Sequence, residues 1–171
     1  MKVGLIGFGK AGKSVASVLL ESKDICLEWV VRKTTKLEHR SVPEFFGIES
    51  KEPGLIYSSH EFTAAELIKQ HPVDVIVDFS SEEGLDYYAE TAKIKGITIL
   101  SAISHYSKEK IEYLKKLSKF TKVLHSPNIT LGINFLINAE KNLKKIAPYT
   151  DIEIIEEHFK TKPEVSGTAK K

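Results

Sequence analysis

The stretch Lys2-Val-Gly-Leu-Ile-Gly-Phe-Gly-Lys-Ala-Gly-Lys-Ser-Val-Ala-Ser-Val-Leu-Leu20 decides how the rest of the chain is read. Val3 to Ile6 is a short apolar run that breaks at Gly7-Phe8-Gly9-Lys10-Ala11-Gly12. A helical pattern follows at once, with Ala11, Val15, Val18 and Leu19 on one face. The spacing predicts strand, tight glycine turn and helix, with the glycines as G-x-G-x-x-G. In that arrangement Gly7 permits the turn, Gly9 lets a pyrophosphate approach the backbone, and Gly12 lets helix and strand pack closely. The N–H groups that open the helix then face the phosphates, aided by the helix dipole. A glycine turn needed only for packing would have the same spacing.

Working outward, Ile25 to Val31 reads as a second strand ending at Arg32-Lys33-Thr34. An acidic residue near this point binds the ribose 2′-hydroxyl of NAD in dinucleotide folds. Here Arg32 and Lys33 stand instead, and cations suit a 2′-phosphate, Arg bidentately. Glu28 lies inside the strand, poorly placed to compete. The basic pair therefore favours NADP(H) with NAD(H) still possible, and a solvated basic strand end is the plainer reading. Residues 34–54 predict a long connection with a short helix near Val42–Phe46. Leu55–Ser59 reads as a strand and Thr63–Gln70 as a helix.

Val73 to Phe79 is nearly all apolar and β-branched, as expected of a strand buried on both faces in a parallel sheet. Ser80 and Glu83 have capping-box spacing for a helix carrying Leu85, Tyr88, Ala89 and Ala92. Gly96 stops that helix. Ile97–Leu100 is a further strand, Lys108–Phe120 an amphipathic helix with Ile111, Leu114 and Leu117 inward, and Lys122–His125 a short strand.

Strands alternating with helices at this spacing predict an α/β fold, a Rossmann-type doubly wound parallel sheet. Ligands of such sheets sit outside the carboxyl ends of the strands. The loops 7–12, 79–81, 101–104 and 125–128 are thus expected to converge on one crevice. Phe79, Ser80, Ser101 and Asn128 fall among the cofactor neighbours, although Ser80 and Asn128 could equally cap helices. After Asn128 the pattern changes. Thr130–Ala147 reads as a long helix with Phe135, Leu136, Ala139, Leu143 and Ile146 on one side, and Asp151–Glu157 as a strand. The expected division is a dinucleotide-binding domain at 1–128 and the start of an α+β substrate-binding domain at 129–171.

Bulk composition narrows the function classes. The chain has 171 residues, a net charge of +2 and interspersed charges, which gives no nucleic-acid footprint. No apolar run approaches the ~20 residues that span a bilayer, so no membrane role is expected. Cys26 is the single cysteine, which suits a reducing, cytoplasmic setting. The six histidines lack metal-ligand spacing, so no metal site is expected.

Four segments together resemble the dihydrodipicolinate reductase family of bacterial lysine biosynthesis. They are Gly7–Gly12, Val77–Ser80, Ser126-Pro-Asn-Ile-Thr-Leu-Gly-Ile-Asn134, and Asp151–His158 leading to Lys162 and Ser166-Gly-Thr168. The first two are shared by many oxidoreductases, whereas the last two are specific in this order and spacing. The resemblance implies hydride transfer from NADH or NADPH to a cyclic unsaturated dicarboxylate, a small-molecule substrate. It makes His158 the proton donor and Lys162 a second catalytic residue that also meets substrate. It gives the substrate carboxylate to Ser166, Gly167 and Thr168. It lines the nicotinamide with Ser101, Ala102 and Ile103 and with Ser126, Pro127, Asn128 and Ile129.

Some positions depart from the family pattern. Phe159 stands where the family has a second histidine that contacts substrate. Ser101-Ala-Ile-Ser104 replaces its Gly-Thr-Thr-Gly, and Pro163-Glu-Val165 replaces Asp-Ala-Pro. The chain ends where the family continues into a sheet that completes the substrate domain and forms the tetramer. A truncated or divergent member is therefore expected, as a monomer or a loose homo-oligomer exposing apolar surface on helix 130–147. Two alternatives stay open: a reductase of another imine or amino-acid-derived substrate, and a dinucleotide-binding protein without reductase activity.

Overall fold

The structure is a computed structural model that describes residues 1–153 and 155. Six parallel strands form one sheet: β1 (Lys2–Ile6), β2 (Cys26–Arg32), β3 (Leu55–Ser58), β4 (Val75–Asp78), β5 (Thr98–Ser101) and β6 (Val123–His125). Their order is β3-β2-β1-β4-β5-β6, so the chain leaves β1 in both directions and the order reverses between β1 and β4. Helices α1 (Lys10–Glu21), α2 (Val42–Phe46), α3 (Ala64–Gln70), α4 (Gly84–Lys95), α5 (Lys108–Leu117) and α6 (Leu131–Ile146) complete the described elements. This is the predicted Rossmann-type sheet.

Each face of the sheet carries its own apolar layer. One holds Trp29, Val31 and Ile76 against Leu67 of α3, Leu85 and Tyr88 of α4, and Leu114 and Leu117 of α5. The other holds Leu5, Leu27, Val30 and Ile56 against Ala16 of α1 and Val42 of α2. Strands covered on both faces need apolar side chains at nearly every position, which is why β1 and β2 read as continuous apolar runs. Glu28 is the exception inside β2. It pairs with the Lys2 ammonium at 3.0 Å, in the amino-terminal half of β2 and away from the strand's carboxyl end.

Local signals fix the helix ends. Thr63 caps α3 in a reciprocal box with Glu66, Ser41 and Ser107 cap α2 and α5, and Gly96 ends α4 at φ 68°. Three expectations are corrected. The buried face of α1 is Gly12 and Ala16, flanked by Val15 and Leu19, while Ala11 is exposed and Val18 is 65% exposed. Gly12 pressed against the preceding turn sets the helix rotation, and apolar periodicity alone could not show that. No capping box joins Ser80 and Glu83, because Ser80 bonds Asp78 and Glu83 bonds Ser81. The predicted strand at 151–157 is irregular at residues 151–153 and 155, and its remainder lies outside the described residues. α6 buries none of its residues among those described, and Leu131, Phe135, Leu136 and Ile146 are exposed, as expected for that helix.

Trp29 is fully buried and its indole lies over Gly4 of the neighbouring strand. A Cβ at residue 4 would come within 2.2 Å of the ring. Gly4→Ala should therefore cost about 1–3 kcal/mol through overpacking, read as a lower urea midpoint with Trp29, the chain's single tryptophan, as the fluorescent probe. An unchanged midpoint would show that the ring moves aside at no cost.

Candidate dinucleotide-binding site

The glycine turn is built by backbone contacts that exclude side chains. Gly7 has φ 96°, a left-handed conformation that favours glycine. A Cβ there would lie 2.7 Å from the Phe79 carbonyl group. A Cβ on Gly12 would lie 2.1 Å from the Gly7 carbonyl oxygen. Gly9 differs: apart from its chain neighbours, no atom of the described residues lies within 4 Å of the place a Cβ would take. Packing against the rest of the protein therefore does not require a glycine at this position. Gly9 opens α1 without a side-chain cap, and the first turn contains no acidic residue. A helix start of this kind can hold an anion such as a pyrophosphate on its first N–H groups.

Two cavities flank the turn. The larger, of about 440 Å³, is lined by Gly7, Phe8 and Gly9, by Arg32, Lys33 and Thr34 after β2, by Ser59 and His60 after β3, and by Phe79, Ser80 and Ser81 after β4. Glu83, Gly84 and Tyr87 close its far side. The second, of about 340 Å³, is lined by Ala11, by Ala102 and Ile103 after β5, by Ser104 and His105, and by the same Phe79-Ser80-Ser81 segment. That segment is the shared wall. The pair of cavities thus extends across the point where strand order reverses, the usual ligand position of this architecture.

The expected residues separate by role. Phe8 is buried, with its ring edge-on to Phe45 at 5.3 Å in the core. Lys10 and Ala11 are exposed at the start of α1, and Gly12 is a packing contact beneath. The Arg32 guanidinium donates to the Lys36 carbonyl at 2.7 Å, just before Leu37 and His39, which have φ of 79° and 62°. Ser101 is buried, and its hydroxyl shares a hydrogen bond with Tyr106 instead of lining a cavity. Ser126, Pro127, Asn128 and Ile129 line neither of these two cavities. Ser126 bonds back to Ser101 through its amide and to the Asn128 carbonyl through its hydroxyl. His158, Phe159, Lys162, Ser166, Gly167 and Thr168 lie outside the described residues.

Sequence reasoning missed Thr34, Ser59, His60 and Tyr87. The loop after β3 was legible in principle. With β3 beside β2 in the usual strand order, its carboxyl end must open next to Arg32. Asp78 was also missed. It is fully buried, and burial raises its pKa above the ordinary carboxylate value, opposed by hydrogen bonds from Ser80 and Tyr88.

The family profile described as "Dihydrodipicolinate reductase, N-terminus" matches residues 1–129. The chain belongs to the dihydrodipicolinate reductase family. The 4-hydroxy-tetrahydrodipicolinate reductase of Clostridium novyi is 36% identical over 98 residues, covering 56% of this chain and 39% of that protein. The enzyme of the same name from Polynucleobacter necessarius is 29% identical over 181 aligned positions, covering 100% and 63%. The dipicolinate-bound dihydrodipicolinate reductase from Paenisporosarcina superposes with a TM-score of 0.71 at 19% identity, over 99% of this chain and 63% of that one. This member of the dihydrodipicolinate reductase family thus spans between about two fifths and two thirds of the length of these relatives. Among its described residues no helix is long and apolar enough to cross a membrane.

Gly9 and Gly12 make opposite demands on the fold. Gly9→Ala should leave the unfolding midpoint within about 0.5 kcal/mol of the parent. Gly12→Ala should lose about 1–3 kcal/mol because backbone must move. Equal losses in chemical denaturation would contradict the distinction between open and packed glycines.

Proposed function

We propose that this chain is the dinucleotide-binding part of an NAD(P)H-dependent reductase, with NADP(H) preferred and NAD(H) possible. Its substrate is a cyclic unsaturated dicarboxylate of the kind acted on in lysine biosynthesis. In this reading residues 1–128 bind the cofactor and 129–171 begin a substrate-binding domain. The observation that carries it is the Gly9 cradle: an uncapped helix start, open space above a glycine, and cavities on both sides. Family membership and the relatives' names support the reaction class.

The backbone of 7–12 would take the pyrophosphate. Arg32 and Lys33 would meet the ribose phosphate, with Thr34, Ser59 and His60 beside them in the same cavity. Phe79 and Ser80 would separate the two halves of the cofactor, and Ala102 and Ile103 would lie on the nicotinamide side with Ser101 and residues 126–129 behind them. A bound reduced nicotinamide supplies the hydride. His158 would donate the proton, a role suited to a group titrating near neutral pH. Lys162, Ser166, Gly167 and Thr168 would hold the substrate carboxylate, with Phe159 at the adjoining position.

Purified chain, supplied with NADPH and freshly generated dihydrodipicolinate, should oxidise the cofactor. His158→Gln should lower turnover at least about a hundredfold while leaving NADPH affinity unchanged. Lost NADPH binding in that variant would make His158 structural. Tight cofactor binding without turnover in the parent would overturn the reductase reading.

Arg32→Glu tests the cofactor preference separately. It should weaken NADPH at least about tenfold more than NADH, since it replaces one charge-assisted contact by a repulsion. Equal losses in fluorescence titrations would contradict the NADP(H) assignment.

A further inference from the structure

Beneath the wall shared by the two cavities lies a buried polar chain whose interior members, Asp78, Tyr88 and Tyr106, have no role in the proposed function. It starts at Asp78, the last residue of β4, which is fully inaccessible. One carboxylate oxygen accepts from the Ser80 amide at 2.9 Å and from the Ser80 hydroxyl at 2.6 Å. The other accepts from the Tyr88 hydroxyl of α4 at 2.8 Å. The Asp78 carbonyl accepts from the Ala102 amide at 2.9 Å. Tyr88 stands beside Tyr106, and the Tyr106 hydroxyl shares a 2.9 Å hydrogen bond with Ser101. Loops after β4 and β5 are therefore tied through one interior network.

Packing does not require it. An apolar residue at 78 would fill the same space without desolvating an ionisable group. What the carboxylate adds is acceptor capacity: two oxygens with about four lone-pair sites, enough for an amide and two hydroxyls at once. Those bonds fold residues 79–81 back under the start of α4. The neighbouring chain is shaped to allow this, since a Cβ on Gly84 would come within 1.9 Å of the Ser80 hydroxyl. The same segment sets Phe79 directly against Gly7. Any release of Ser80 therefore moves the wall that faces the glycine turn.

We propose that Asp78, clamped between Ser80 and Tyr88, is a positioning residue that holds the 79–81 segment in the shape a dinucleotide needs to pass from one cavity to the other. The inference rests on the dinucleotide-binding function proposed above. Asp78 touches no ligand in this account and acts through Ser80.

The test compares the parent with Tyr88→Phe, Asp78→Asn and Asp78→Ala, with Ile68→Val in the core as a control of reduced stability. NADPH and NADH affinities, thermal midpoints and exchange of the Ser80 amide are measured on each. Tyr88→Phe should weaken both dinucleotides at least about fivefold and speed Ser80 exchange about tenfold. Ile68→Val should lower the midpoint and leave affinity unchanged. Asp78→Asn retains an acceptor for Ser80 and gains a donor for Tyr88, so it should bind within about threefold of the parent, whereas Asp78→Ala should lose at least about tenfold. Should Asp78→Ala not fold, Tyr88→Phe and Asp78→Asn decide the matter. Parent-like binding by Tyr88→Phe, or an equal loss in Ile68→Val, overturns the positioning role alone. A parent that binds neither dinucleotide overturns the functional reading beneath it.

Discussion

The structure turns on a contact between two pieces of backbone: Gly12 of α1 lies so close to the Gly7 carbonyl that no side chain fits between them. That approach sets the rotation of α1, brings Ala16 onto the sheet and leaves Val18 in solvent. It also sets the start of the helix, which has no side-chain cap, just after the carboxyl end of β1. Gly7 makes the matching contact on the other side, against Phe79. The turn is thus held between its own helix and the loop after β4. Of the three glycines of the turn, only Gly9 faces no packed neighbour.

The second constraint lies one strand away. Ile6 and Asp78 are partners in the β1–β4 ladder, so the glycine turn and the buried carboxylate leave the sheet side by side at the strand-order reversal. One part is shaped by the absence of side chains and the other by a side chain that is costly to bury. Both act on the same 79–81 segment, which forms the wall between the cavities. A site spanning a switch point needs that wall fixed, because cavities on either side share it.

Much of this was legible in the sequence, for identifiable reasons. The glycine turn, the buried β-branched run ahead of Asp78, the Gly96 stop and the short helix at Val42–Phe46 all follow from local rules of backbone freedom and periodicity. What escaped depended on contacts distant in the chain. The face of α1 is chosen by Gly7. The Ser80 hydroxyl is taken by Asp78 before it can cap a helix. Ser59 and His60 join the basic end of the site only because β3 pairs with β2. The motif around His158 lies outside the described residues, so its chemistry rests on resemblance.

The central claim is that a dinucleotide lies across the glycine turn and both cavities. The most direct measurement is an NMR titration of the isotopically labelled chain with NADPH, following backbone amides. The account predicts shifts concentrated at residues 7–12, 32–34, 59–60, 79–81 and 102–105, with α6 unaffected. No saturable shifts, or shifts centred on the exposed face of α6, would contradict it.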